Sequence, residues 1–272
     1  MTTTAMHSLE RGDVAIAFRR AGSGPPLVLL HATLSSSRQL RQLASRLASS
    51  FDVISVDRRG SGASVSADEE HAAPDGPIDV AVHVADLAEL LESQRLAPAV
   101  IVGHSYGGCL ALEFAARRPE SVSAVWAYEP PYAPLGPAAA QRSMADVARQ
   151  TAEAAASGGS GAAAEAFMAG VSGQDALESL SVAGRDRVRR AGRSAIADAA
   201  LLGLEPHGLK HISCPVVIAY GAESHEVYAQ IAVALRAQVP GATTSRLDEA
   251  DHMAPITRPD AIVAEIEALG RP

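Results

Sequence analysis

The chain has 272 residues, 47% of them hydrophobic, 20% charged and only 4% aromatic, with a net charge of −8. That length buries a sizeable core without staples, so the chain reads as a soluble globular protein whose interior is built from Ala, Val, Leu and Ile. The acidic balance argues against general nucleic-acid binding, which needs clustered Lys and Arg; no run is long and apolar enough to span a bilayer and Met1 to Glu10 lacks a signal-peptide core, which implies a cytoplasmic protein with no membrane partner.

The first apolar run, Leu27 to Leu30, reads as a buried strand and is followed by His31-Ala32-Thr33. Leu40, Leu43, Ala44 and Leu47 then recur at helical spacing within Arg38 to Ser50. A second strand, Val53 to Val56, runs into Asp57-Arg58-Arg59-Gly60-Ser61-Gly62-Ala63-Ser64, and Val80, Val84, Leu87 and Leu91 mark the next helix. The third strand, Ala99 to Val102, leads directly into Gly103-His104-Ser105-Tyr106-Gly107, with a helix-like stretch from Cys109 to Arg118 behind it. Glycines on both sides of Ser105 allow a sharp strand-to-helix turn that lifts the hydroxyl clear of the sheet, which is how a nucleophile is presented. G-x-S-x-G alone is a weak pattern; its place between strand and helix carries the specificity.

Val122 to Tyr128 predicts a fourth strand, ending at Glu129-Pro130-Pro131. From there to Lys210 the chain turns into an Ala-rich helical region, opened by prolines, broken at Ser157 to Gly161 and free of strand runs. It reads as a helical cap, residues 131–210, inserted into an α/β core made of residues 1–130 and 211–272. Arg185, Arg187, Arg189, Arg190 and Arg193 fit a solvated helix face better than a site for an acidic substrate. The last strands are Val216 to Tyr220 and Thr243 to Leu247, with a helix over Val227 to Gln238 between them and Ala250-Asp251-His252-Met253 after them. Ser224 is placed to cap that helix, with Glu226 in its first turn. Cys109 and Cys214 have neither metal-ligand nor C-x-x-C spacing and read as small core residues. Strands alternating with helices imply a mostly parallel, doubly wound sheet that binds ligands at the carboxyl ends of its strands.

The segments at His31 to Thr33, Asp57 to Ser64, Gly103 to Gly107 and Ala250 to Met253 fall in an order that resembles the α/β-hydrolase family, specifically its capped single-domain serine hydrolases, over essentially the whole chain. The resemblance implies that Ser105 is the nucleophile and His252 its base. It also implies that the backbone N–H groups of Thr33 and Tyr106 form the oxyanion hole. His31-Ala32 stands where the family usually has His-Gly; His31 is implied to support that loop and His104 to shape the elbow or pocket.

In the commonest family pattern the acid is an Asp three residues beyond a glycine, after the strand matching Val216 to Tyr220. That position here is Ser224, which cannot supply the charge. Glu129, at the end of the strand next to that of Ser105, is the preferred acid, in a placement similar to that of zearalenone lactonase. Glu223 and Glu226 stay open as alternatives. Asp57 reads as a structural loop residue, and Asp248 and Asp251 lie too close to His252 along the chain to be preferred.

The implied function is hydrolysis of a small apolar carboxylic ester or lactone through an acyl-enzyme on Ser105, with no metal or organic cofactor. A carbon–carbon bond hydrolase, a thioesterase, a perhydrolase and a non-hydrolytic ligand-binding or ring-forming member are the alternatives. Met144, Phe167 and Met168 fit either an apolar substrate or the cap's own core. Oligomeric state is left open.

Overall fold

In a computed structural model, which describes residues 5–12, 14–64 and 76–269, eight strands form one sheet. They are β1 (Met6–Arg11), β2 (Val14–Gly22), β3 (Pro26–Leu30), β4 (Asp52–Val56), β5 (Ala99–His104), β6 (Val122–Tyr128), β7 (Val216–Gly221) and β8 (Thr243–Leu247), in the spatial order β1-β2-β4-β3-β5-β6-β7-β8. β1 pairs antiparallel with β2 and β2 with β4; every later pairing is parallel. The helices among the described residues are α1 (Arg41–Leu47), α2 (Val80–Gln94), α3 (Tyr106–Arg117), α4 (Ala138–Ser172), α5 (Gln174–Glu178), α6 (Val182–Arg190), α7 (Gly192–Asp198), α8 (Val227–Gln238), α9 (Ala254–Thr257) and α10 (Pro259–Leu269).

Both faces of the sheet are covered, which is why the central strands are apolar throughout and do not alternate. Leu27 and Leu29 of β3 pack in one cluster with Leu43 and Leu47 of α1 and Ile262 and Ile266 of α10. Val28 and Leu30 point to the opposite cluster, with Leu87 and Leu90 of α2, Leu110 and Phe114 of α3 and Ile231 and Leu235 of α8. Asp79 starts α2 by accepting the Ala81 N–H at 2.7 Å. Cys109 is buried and Cys214 half-buried, both as free thiols.

Three features differ from the sequence reading. The β1–β2 hairpin stands outside it, although Val14, Ile16 and Phe18 of β2 are buried at the alternate spacing of a half-covered strand. β1 is mostly exposed and carries no such pattern. The sequence reading also omits α10, whose buried Ile262 and Ile266 form one helical face. Finally, Ser224 does not cap α8: Glu226 occupies the cap position, His225 Nδ1 accepts the Val227 N–H at 3.2 Å, and the Ser224 hydroxyl is buried.

Between β6 and β7 the chain is helical. α4 breaks at Gly159 (φ 72°, ψ −169°), inside the stretch where glycines and serines foreshadow a break. Phe167, Val147, Ala195 and Leu202 form a cluster of their own, with Met144 packed against it. Arg185 and Arg189 both face Glu165, at 3.9 and 3.6 Å, while Arg187 and Arg190 are exposed. Among the described residues, no helix is long and apolar enough to cross a membrane.

Candidate active site

The strand order puts the carboxyl ends of β3, β5 and β6 side by side, and Ser105 follows β5 at their centre. Its backbone is forced out of the usual regions (φ 54°, ψ −120°), a conformation that costs about 1–3 kcal/mol and persists only where the surroundings dictate it. Those surroundings are two glycines. A Cβ on Gly103 would lie 2.1 Å from the Gly107 carbonyl oxygen, and one on Gly107 would lie 2.2 Å from that of Leu30. The first turn of α3 therefore rides directly on the end of β3. Gly107→Ala is expected to destabilise the protein by about 2–4 kcal/mol in urea denaturation, because backbone must move to admit the methyl. A variant as stable as its parent would show that the elbow and β3 can part.

Ser105 donates its N–H to the Tyr128 carbonyl at 2.8 Å, tying it to the strand that ends at Glu129. Glu129 is buried, and its own φ of 48° turns the chain out of β6 while its N–H bonds to the Ala219 carbonyl at 2.9 Å. One carboxylate oxygen accepts the Gly221 N–H at 2.7 Å. The other lies 2.6 Å from His252 Nδ1. With Nδ1–H donating to Glu129, Nε2 keeps its lone pair and is available as a base.

His252 sits on a loop, and that loop is gripped at three successive carbonyls. Ala250 O accepts the Glu223 N–H at 2.9 Å, Asp251 O accepts the Tyr128 hydroxyl at 2.6 Å, and His252 O accepts His104 Nε2–H at 2.7 Å. His104 is therefore a neutral donor, and burial, with His252 beside it, pushes its pKa down to about 3. Tyr228 stacks on the His252 ring at 5.0 Å and 15°. Burial, reinforced by the Glu129 charge, raises Tyr128 above the ordinary phenol range, so it stays a donor. Among the described residues Ser105 Oγ takes no hydrogen bond; in unliganded sites a serine–imidazole bond is often long and tightens with substrate in place.

On the other side of Ser105 lies the loop after β3. His31 is fully buried and neutral: Nδ1–H donates to the Ala32 carbonyl at 2.7 Å and Nε2 accepts the Arg58 N–H at 3.1 Å. Burial and the Arg58 charge hold its pKa well below the ordinary histidine value. Among the described residues neither the N–H of Thr33 nor that of Tyr106 has a hydrogen-bond partner. Two open donors beside a presented hydroxyl are what a developing oxyanion requires. The Arg58 guanidinium lies 4.2 Å over the Tyr106 ring and pairs with Asp198 of α7 through two bonds of 2.9 and 2.8 Å, both side chains about 1% exposed. Removing one member of such a pair costs about 3–5 kcal/mol, since the other charge is left buried alone.

The structure brings Glu129 to His252 and leaves Glu223 and Glu226 exposed, without a bond to that imidazole. Asp57 accepts the N–H groups of Ser37 and Ala63 at 2.7 and 2.9 Å, so it holds its own loop. Asp251 contributes its carbonyl to Tyr128 and its carboxylate to the Met253 N–H. Sequence reasoning does not reach Arg58, Ser194, Asp198 or Tyr228. Among the described residues, no cluster of three or more His, Cys, Asp or Glu side chains is arranged to hold a metal.

A sequence model of the alpha/beta hydrolase family matches residues 27–265. The chain is 31% identical over 118 residues to 2-(acetamidomethylene)succinate hydrolase of Mesorhizobium japonicum; the stretch is 43% of this chain and spans only 40% of that relative's length. Among solved structures, an alpha/beta hydrolase from Sphaerobacter thermophilus superposes with a TM-score of 0.69 at 26% identity, covering 97% of this chain and 100% of that one. The enol-lactonase from Burkholderia xenovorans superposes with a TM-score of 0.73 at 19% identity over 97% and 99%, a likeness of fold alone.

Proposed function

The chain belongs to the alpha/beta hydrolase family, and from that premise we propose that it hydrolyses a small apolar carboxylic ester or lactone through an acyl-enzyme on Ser105. Ser105 Oγ attacks the carbonyl carbon while His252 Nε2 takes its proton, and the N–H groups of Thr33 and Tyr106 receive the oxyanion. Glu129 holds the imidazole by Nδ1–H and stabilises the imidazolium that forms. Collapse expels the alkoxide, which takes the proton from His252; for a lactone the alcohol stays tethered to the acyl group. Water then attacks the acyl carbonyl, giving its proton to His252; collapse breaks the acyl–Oγ bond, the imidazolium returns that proton to Ser105 Oγ, and the acid is released.

The observation that carries this reading is the 2.6 Å contact between Glu129 and His252 Nδ1, on a carboxylate whose neighbour Tyr128 holds the Ser105 backbone. The hydrolase name of the Mesorhizobium japonicum relative supports hydrolysis as the chemistry, while the ester or lactone class is proposed from the arrangement of serine, imidazole and carboxylate. A fluorophosphonate probe is expected to label the native protein once, at Ser105, and Ser105→Ala is expected to abolish labelling. A panel of short-chain esters, thioesters and lactones then ranks substrates. No label and no turnover across that panel in folded protein would remove the proposal.

A further inference from the structure

We infer that α7, a helix of the segment inserted between β6 and β7, holds the oxyanion loop in its working shape, with Ser194 and Asp198 as positioning residues for the N–H of Thr33. The inference rests on the acyl-transfer reading for its catalytic meaning, and on geometry for the hold itself. The loop needs support. Leu34 has φ 55°, a region that a branched side chain rarely enters, and Ala32 lacks the backbone freedom of the glycine that the family resemblance leads one to expect there.

The support comes from α7. The Leu34 N–H donates to Ser194 Oγ at 2.9 Å, and the Thr33 hydroxyl donates to Asp198 Oδ2 at 2.7 Å. The Leu34 side chain packs on the cluster of Val147, Phe167, Ala195 and Leu202. Because the Thr33 hydroxyl is committed to Asp198, only the backbone N–H of that residue is left for a substrate oxygen. Asp198 also reaches the second donor residue, through Arg58. That guanidinium covers the Tyr106 ring and donates to the carbonyls of His31 and Ala32 at 3.2 and 3.3 Å. One buried carboxylate therefore fixes both residues whose amides face the reaction.

α7 is itself anchored to the core and to α4. The Ala197 carbonyl accepts the Ile78 N–H at 2.8 Å, and Ser194, Ala195, Ala197 and Asp198 are all buried. A Cβ on Gly192 would lie 1.9 Å from the Ser160 carbonyl oxygen, so the helix also starts in tight contact with α4. The inserted segment therefore contributes a fixed wall to the site.

The test compares Thr33→Val, Ser194→Ala, Asp198→Asn and Thr33→Ser with the parent by hydrogen exchange of residues 31–35 and by kcat and KM on p-nitrophenyl acetate. Exchange in that segment is expected to rise at least about tenfold in the first three variants, with the α8 segment unchanged. Thr33→Val and Asp198→Asn are expected to lower kcat about tenfold or more with KM within about twofold, and Thr33→Ser to recover most of that loss. A purely structural bond would shift stability without this split. Thr33→Val and Ser194→Ala leave no charge unpaired, so they keep the test open where Asp198→Asn fails to fold. Parental exchange and parental kcat in folded Thr33→Val would overturn the inference. Exchange is read without substrate, so its acceleration supports the hold by α7 even in a protein that turns over nothing, an outcome that would count against the acyl-transfer reading instead.

Discussion

Glu129→Gln is expected to slow acylation of Ser105 by about 10⁴-fold in a protein that keeps its fold. The glutamine carbonyl oxygen can still accept the Gly221 N–H, which Glu129 receives at 2.7 Å, so the buried donor stays satisfied. The amide nitrogen then faces His252 Nδ1 and can only donate. Nδ1 is forced to accept, the ring proton moves to Nε2, and the base has no lone pair for the serine proton. The loss should fall on kcat with little change in KM, because the carboxylate touches the imidazole and not the substrate. Glu223→Ala and Glu226→Ala, exposed and unbonded to the imidazole, should stay within about twofold of the parent. Burst kinetics with a chromogenic ester would read all three, and a Glu129→Gln protein of parental rate would place the acid elsewhere.

Acid is expected to unfold this protein steeply between pH 6.5 and about 4. His31, His83 and His104 are buried and held neutral, His83 at about 4 and His104 at about 3 against an ordinary 6.5. For His31 and His83, burial is joined by the nearby Arg58 charge; for His104 it is joined by His252. In each case the folded-state pKa is depressed. The stability these groups contribute is present above the unfolded value, and it is lost as pH falls from about 6.5 towards the folded one, because only the unfolded chain takes up protons there. Each contributes about 1.4 kcal/mol per pH unit, so three together approach about 4, against a total stability of about 5–15 kcal/mol.

Glu113 works in the opposite sense: burial raises its pKa, so the folded state binds its proton first and gains as pH falls towards the unfolded value. One carboxylate offsets part of the slope and does not reverse it. Urea denaturation in half-unit pH steps would measure the trend. His83→Phe, which keeps the edge contact with Tyr106 and loses an unpartnered Nε2, should remove about a third of the slope. Stability that stays flat from pH 6.5 to 4.5 would show that these imidazoles are not sealed from water.

What was legible in the sequence was whatever the backbone enforces locally. Apolar runs such as Ala99 to Val102, covered on both faces, announced the parallel strands, and Gly103 and Gly107 announced the elbow because no larger residue fits there. Glu129 stood out because it closes an apolar run before two prolines. The hairpin of β1 and β2 escaped because β1 is exposed along most of its length and carries no hydrophobic signal. Long-range polar pairs were invisible for a different reason. Asp198 lies 140 positions from Arg58, and His104 lies 148 from His252, so nothing in either neighbourhood marks the partner. The expected cap of α8 by Ser224 failed because the cap position falls two residues later, at Glu226, and the His225 imidazole accepts the Val227 N–H instead.

The position of Glu129 at the end of β6 has one more consequence. Ser105 and Glu129, the proposed nucleophile and acid, follow adjacent hydrogen-bonded strands, so their separation is metered by the strand spacing of about 4.8 Å. Of the three groups, only the imidazole travels on a loop. Mild warming or low urea should therefore detune the site through residues 250–252 first, and activity should fade before any spectroscopic sign that the sheet has begun to melt.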